Sequence, residues 1–287
     1  MLKNFLISIF NIIDNTLGFI GIDTDKLMAK LQVRWLYNGK LNRRLFRSNE
    51  ERGKLNLYIE YVPDRYCDGY ESYKQSPNFL AFSDIEKWTE GNSRINAGDL
   101  TRFFFINLCI DSLLEENLIG NVVELGVFKG NSAFLLSKFA KRISTKCYLF
   151  DTFEGFDARD LTGRDAQFAQ FEKPLFSDTS LEAVKEVVQG GPNTLFVKGY
   201  FPESLKKIDS VGELILVHVD CDLEKPIAAA LDYFYPKIKK GGFLIMHDYS
   251  SLNWPGAKHA INEFFKDKPE FVVPIPDKSG TCVIRKM

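Results

Sequence analysis

The chain has 287 residues, a net charge of −1 with acids and bases intermixed, and 45% apolar residues. That length buries one good core with an N-terminal elaboration, and the even charge excludes the basic footprint of a nucleic-acid-binding protein. The cysteines Cys67, Cys109, Cys147, Cys221 and Cys282 are odd in number and lack C-x-x-C spacing, so they read as reduced thiols of a cytoplasmic protein, with no disulfide framework or zinc site.

Residues 2–20 are rich in apolar side chains, but Asn4, Asn11, Asp14 and Asn15 break the run, which leaves it too short to span a bilayer. The reading is an amphipathic helix that packs on the domain or on a second subunit, as in a homo-oligomer. A peripheral membrane contact is the alternative. The remainder of 1–60 reads as helical, with a solvated basic face from Arg34 to Arg52. Residues 61–95 carry Tyr61, Tyr66, Tyr70 and Tyr73 among Pro, Asp and Gly, the pattern of a long irregular lid or binding loop. The chain thus divides into an N-terminal helical and lid extension, 1–95, and a main domain, 96–287.

A helix from Gly98 to Glu116 opens the main domain. Apolar runs at 121–125, 147–150, 194–197, 214–219 and 243–246 then alternate with helical patterns at 131–141, 180–189, 225–239 and 256–266. This alternation predicts an α/β domain with a mainly parallel sheet covered on both faces. Phe271 to Ile275 and Thr281 to Ile284 flank the turn Pro-Asp-Lys-Ser-Gly and read as a closing hairpin at an antiparallel edge.

In such sheets ligands gather outside the carboxyl ends of the strands. Glu124 closes the first run, Asp151 the second, Gly199 follows the third, Asp220 and Asp222 the fourth, and His247 and Asp248 the fifth. Each acid alone could be a helix cap; together on one rim they outnumber what capping requires. The first run turns through Glu124-x-Gly126-x-x-x-Gly130, neither the G-x-G-x-x-G of dinucleotide folds nor a P-loop, which suits a nucleotide-like cofactor without pyrophosphate. Asp151 is placed to accept two hydrogen bonds from a ribose diol, with Phe153 and Phe156 as an aromatic wall or as core residues. Asp220, Asp222, His247 and Asp248 form a hard-oxygen and imidazole set that suits Mg²⁺ or Mn²⁺. Such an ion lowers the pKa of a substrate hydroxyl, and a neighbouring carboxylate or His247 takes its proton. A metal-free site with His247 as base is the alternative. His218 reads as structural and on the opposite face from Val217 and Val219; His259 reads as a helix residue without a role.

The segments Glu124-Leu-Gly-Val-Phe-Lys-Gly, Phe150-Asp-Thr-Phe-Glu-Gly-Phe, Lys198-Gly-Tyr-Phe-Pro-Glu-Ser, His218-Val-Asp-Cys-Asp-Leu and His247-Asp-Tyr, in this order, resemble the macrocin O-methyltransferase family. Phe176-Ser-Asp-Thr-Ser-Leu, Trp254-Pro-Gly-Ala and Pro276-Asp-Lys-Ser-Gly extend the likeness over 95–287. The resemblance implies a class I methyltransferase, Rossmann-like sheet of order 3-2-1-4-5-7-6 with the last strand antiparallel, S-adenosylmethionine as cofactor, and transfer of a methyl group to a hydroxyl of a sugar or other small-molecule or glycan acceptor. It implies a cofactor site at Glu124, Gly126, Val127, Phe128, Gly130, Ser132, Asp151, Thr152, Phe153 and Asp220, with adenine near Ser177, Asp178, Tyr200 and Phe201. It also implies a magnesium site of Asp220 and Asp248, with Asp222 as third ligand or base. The family pattern reads Asp-Asp-Tyr where this chain has His247-Asp248-Tyr249, so a neutral, softer ligand stands in one position.

Three other readings compete: a metal-dependent methyltransferase of a phenol or catechol, a non-catalytic protein that retains the sheet, and a nicotinamide oxidoreductase. The missing G-x-G-x-x-G argues against the last.

Overall fold

A computed structural model describes residues 79–80 and 100–287, except 172 and 278. The amphipathic helix, basic face and lid expected over residues 1–95 lie outside the described residues, Phe79 and Leu80 apart. Phe79 and the described residues from Leu100 onward belong to one compact unit.

Helix α1 (Leu100–Glu115) is apolar almost all round, and it is buried accordingly: Phe103, Phe104, Ile106, Ile110 and Leu113 are at most 1% exposed. It delivers the chain to β1 (Asn121–Leu125), whose glycine turn leads into α2 (Asn131–Arg142). Then follow β2 (Cys147–Asp151), a 3₁₀ segment Gly163–Gln170, α3 (Leu181–Val188), β3 (Thr194–Lys198), β4 (Leu214–Val219), α4 (Glu224–Phe234), β5 (Ile238–Met246), α5 (Pro255–Phe265), β6 (Val273–Pro274) and β7 (Cys282–Arg285).

The seven strands form one sheet of order β3-β2-β1-β4-β5-β7-β6, and β7 runs antiparallel to both its neighbours. The alternation of side chains along the strands divides the core. Val123, Leu125, Val217, Val219, Leu244 and Met246 face α4 and α5, where Ile227, Leu231, Ala257 and Ile261 meet them. Val122, Leu149, Leu216 and Ile245 face the opposite layer of α1, α2 and α3. Glu124 and His218 sit side by side in register on that second face.

Two element boundaries differ from the sequence reading. The helix expected over 225–239 ends at Phe234, because Pro236 in the 3₁₀ turn Tyr235–Lys237 has no N–H to continue it. The freed residues begin β5 early: Ile238 pairs with Leu214, and the register then slips so that Phe243 pairs with Leu216. The strand expected over 271–275 shortens to Val273–Pro274, an exposed edge where proline is tolerated. Among the described residues, no helix is long and apolar enough to cross a membrane.

Candidate active site

The carboxyl ends of β1, β2, β4 and β5 open into a cavity of about 350 Å³. Its floor is the glycine turn after β1. Gly126 has φ +87°, and a Cβ there would lie 2.0 Å from the Asp220 carbonyl oxygen, so only glycine lets the turn pass against the end of β4. The turn is tied to β2 by Asp151: Val127 N–H and Phe128 N–H donate to Oδ2 at 2.7 and 2.9 Å, and Phe153 N–H donates to Oδ1 at 2.6 Å. The Thr152 hydroxyl donates to the Gly155 carbonyl at 2.6 Å. The backbone donors fix the Asp151 carboxylate at the rim, where it lines the cavity.

At the other end of the cavity the loops after β4 and β5 converge. His247 Nδ1 lies 2.8 Å from Asp220 Oδ1 and 2.8 Å from Asp248 Oδ2. Arg102, from the first turn of α1, donates from Nη1 to Asp220 Oδ2 at 2.5 Å. Burial works against the charge on Asp220, but His247 and Arg102 outweigh it and hold the carboxyl well below the usual carboxylate range. Burial likewise opposes charge on His247, and Asp220 overrides it, so the imidazole is pushed well above its ordinary value. Asp222 goes the other way: burial, then the charges of Asp248 and Asp220, raise its carboxyl well above the ordinary value. Asp222 and Asp248 both adopt left-handed backbone at φ +60°. Such conformations in non-glycine residues cluster at functional sites.

The donor set passes a chemical test for a divalent cation. One ligand atom from each of Asp220, His247 and Asp248 lies within 4.8 Å of the others, and the group combines carboxylate oxygens with an imidazole.

An aromatic wall closes one side. Trp254 packs against Phe156, Phe168 and Phe176 with ring centroids 5.5, 4.5 and 6.0 Å away. Phe176 also meets Phe128 at 5.2 Å. Tyr200 donates its hydroxyl to Asp160 Oδ1 at 2.8 Å, and the Arg159 guanidinium stacks 3.7 Å from its ring centroid.

A profile described as macrocin O-methyltransferase (TylF) matches residues 98–286. The chain belongs to the macrocin O-methyltransferase family. It is accordingly an S-adenosylmethionine-dependent O-methyltransferase. The 8-demethyl-8-(2,3-dimethoxy-alpha-L-rhamnosyl)-tetracenomycin-C 4'-O-methyltransferase of Streptomyces olivaceus is 25% identical over 64% of this chain and 72% of its own. The demethyldecarbamoylnovobiocin O-methyltransferase of Streptomyces niveus is 25% identical over 55% of this chain and 63% of its own. The solved structure of the O-methyltransferase NovP superposes with a TM-score of 0.57 at 22% identity, covering 65% of this chain and 79% of that one, a likeness of fold.

Of the residues that the family resemblance implies, Gly126, Val127, Phe128, Ser132, Asp151, Thr152, Tyr200, Phe201, Asp220, Asp222, His247 and Asp248 line the cavity. Five do not, four of them for a physical reason. Glu124 is fully buried beneath the turn, where its Oε1 accepts from Ser132 Oγ at 2.5 Å and meets His218 Nδ1 at 2.8 Å. Gly130 caps α2, and a Cβ there would press on Val184 and Val188 of α3. Phe153 is 2% exposed and belongs to the core under α2, which settles the wall-or-core alternative for that residue; Phe156 is the one in the wall. Ser177 is outside the lining, and Asp178 turns to solvent to pair with Lys129. The sequence reading missed Arg102, Asp160 and the wall formed by Phe168, Phe176 and Trp254. Phe176 and Trp254 stood in segments shared with the family; Arg102 had no local signal.

His218 faces Glu124 on the side opposite Val217 and Val219, as its position on the strand predicts. His259, read as having no role, meets Glu224 Oε1 through Nδ1 at 2.9 Å. The four described cysteines are free thiols.

Proposed function

We propose that this enzyme methylates a hydroxyl group of a sugar or glycosylated small molecule in a cation-assisted step. The observation that carries the reading is the convergence of Asp220, Asp222, His247 and Asp248 at one end of the cavity, with the glycine turn and Asp151 at the other. One cavity thereby offers a nucleoside end and a proton-handling end. S-adenosylmethionine, when bound, supplies an electrophilic methyl group.

The chain's own work is alignment, proton removal and exclusion of water. Gly126 to Phe128 offer close backbone approach to the cofactor, and Asp151 offers its carboxylate to the ribose. Holding donor and acceptor in line removes most of the entropic barrier of a bimolecular displacement. Asp220 and Asp248 are the residues that would hold a divalent cation, joined by His247 once its imidazole has released the proton that Asp220 stabilises. The cation's chemistry is to lower the pKa of the acceptor hydroxyl. Asp222 is the acid of the pair after β4 left to take the proton, since Asp220 is engaged by His247 and Arg102. The relatives named for methylating glycosylated compounds support the sugar hydroxyl over a phenol.

The test is a calorimetric titration of S-adenosylhomocysteine into the protein with Mg²⁺ or with EDTA, paired with labelled methyl transfer to a panel of glycosides and catechols. The expected result is comparable cofactor binding in both conditions and transfer only with metal. Transfer at full rate in EDTA would remove the cation from the reading, and transfer to catechols alone would replace the acceptor.

A further inference from the structure

The residues that line the active-site cavity follow the strand order across the sheet. His247 and Asp248 follow β5, Asp220 and Asp222 follow β4, the glycine turn follows β1, Asp151 ends β2, and Tyr200 follows β3. The proton-handling groups thus stand on the β4 and β5 side, with the ribose acid on β2. A nucleoside that lies across the turn directs its base toward β3.

On that flank Asp160, from the loop after β2, lines the cavity although it is only 5% exposed. The Tyr200 hydroxyl donates to its Oδ1 at 2.8 Å, and no described residue donates to Oδ2. The two cations that act on this carboxyl, Lys225 and Arg159, have partners elsewhere. Arg159 pairs with Asp157 and Glu203, and Lys225 Nζ donates to the Arg159 carbonyl at 2.6 Å. Burial raises the Asp160 carboxyl above its ordinary value, and the Tyr200 hydroxyl opposes that rise. A buried carboxylate with an open acceptor position is costly unless a donor reaches it. Tyr200 and Phe201 supply ring surfaces to the same flank, and the Arg159 guanidinium backs the Tyr200 ring. Apolar walls with a single fixed acceptor match a flat heterocycle that carries an amino group. Ser177 and Asp178, which the family likeness put near the base, are not available for that group: one is outside the lining and the other pairs with Lys129.

We infer that Asp160 is a specificity-determining residue that accepts a hydrogen bond from the exocyclic amino group of the cofactor's adenine through Oδ2, with Tyr200 holding the carboxylate in place. The inference rests on the placement of the ribose at Asp151 and deepens it. Adenine has an amino donor where hypoxanthine has a carbonyl oxygen. An ionised carboxylate only accepts, so it favours the first and repels the second. Asparagine has the same shape and can also donate, so it suits either base.

S-adenosylhomocysteine, its hypoxanthine counterpart S-inosylhomocysteine, and its 2′,3′-dideoxyribose counterpart are titrated calorimetrically into the full chain. Wild type is expected to bind the adenine probe about thirtyfold more tightly than the hypoxanthine probe, as for a hydrogen bond to a charged group. Asp160→Asn is expected to bring the two within about threefold, chiefly by tighter binding of the hypoxanthine probe. A misfolded variant cannot give that gain. Tyr200→Phe, which releases Oδ1, is expected to narrow the preference in part. Equal affinity of the wild type for the two bases, or a preference unchanged in Asp160→Asn, would overturn the assignment. The dideoxy probe reports on the ribose separately, and its weaker binding supports the placement at Asp151. Its equal binding, together with a base preference that Asp160→Asn erases, would overturn the ribose placement and leave Asp160 assigned.

Discussion

At the scale of single residues the site depends on Asp220, which is held from both sides. Asp220→Asn removes the charge that His247 and Arg102 both address. Turnover is expected to fall by about 10³-fold, within the range for loss of a group that handles a proton or its counter-charge. S-adenosylhomocysteine affinity should move by less than about threefold; wild-type turnover in this variant would end the assignment. Arg102 acts through Asp220 and is a positioning residue. Arg102→Ala is expected to lower kcat with little change in cofactor affinity, and Arg102→Lys, which keeps the charge, should restore part of it; equal loss in both would mean that Arg102 serves packing alone. The two acid-bearing loops were legible in the sequence because apolar runs ending in Asp-x-Asp and His-Asp mark strand ends on one rim. Arg102 was not, since 118 residues separate it from Asp220 and nothing local to α1 distinguishes it from a solvated arginine. Glu124 shows the opposite failure. Its motif was visible, but its pleat phase relative to His218 fixes the carboxyl under the turn, and only the register of β1 against β4 reveals that.

Between elements, the helices that start at the rim are coupled through one buried acid. Asp165, in the 3₁₀ segment, is fully buried and accepts the Glu224 N–H at the start of α4 through Oδ2 at 2.8 Å. Gly256 at the start of α5 packs so closely that a Cβ would lie 2.7 and 2.8 Å from the two Asp165 oxygens. Gly256→Ala therefore has to displace the carboxyl from the α4 terminus. A destabilisation of about 1–3 kcal/mol is expected, as for other overpacked sites. Urea unfolding measures it, and an unchanged midpoint would show that the segment yields freely. Because Phe168 in the same segment packs on Trp254, the variant should also change tryptophan fluorescence before unfolding begins. The 3₁₀ segment was not legible beforehand: its sequence, Gly-Arg-Asp-Ala-Gln-Phe-Ala-Gln, has no sustained apolar period, and it is held by Asp165 and Phe168. The helices with clear periodicity were legible to within a residue or two, except where Pro236 cut α4 short.

For the molecule as a whole, alternation of strand and helix was enough to give the layered sheet, while the strand order 3-2-1-4-5-7-6 came from family likeness, since periodicity alone does not order strands. The last two strands depend on a contact that closes the fold. Glu270, 5% exposed and just before β6, accepts from the Tyr235 hydroxyl at 2.5 Å through Oε2. Its Oε1 accepts from Lys286 Nζ at 2.9 Å and from Met287 N–H at 3.1 Å. One carboxylate thus ties the end of α4 to the chain beyond β7. Burial opposes its charge, but these donors win and bring it from the ordinary 4.5 down to about 2. A group whose folded value lies below its unfolded value contributes its full stability above the unfolded value and loses it as pH falls toward the folded one. The contribution is on the order of 2–3 kcal/mol, complete above about pH 5 and lost progressively between about pH 4.5 and pH 2. Many carboxylates contribute to acid unfolding, so the measurement is the difference in unfolding free energy between wild type and Glu270→Gln across pH. That difference is expected to be flat above pH 5 and to shrink steadily as the pH is lowered. A difference that is independent of pH would show that the substitution disturbs packing and that the Glu270 charge does not hold the closing strand.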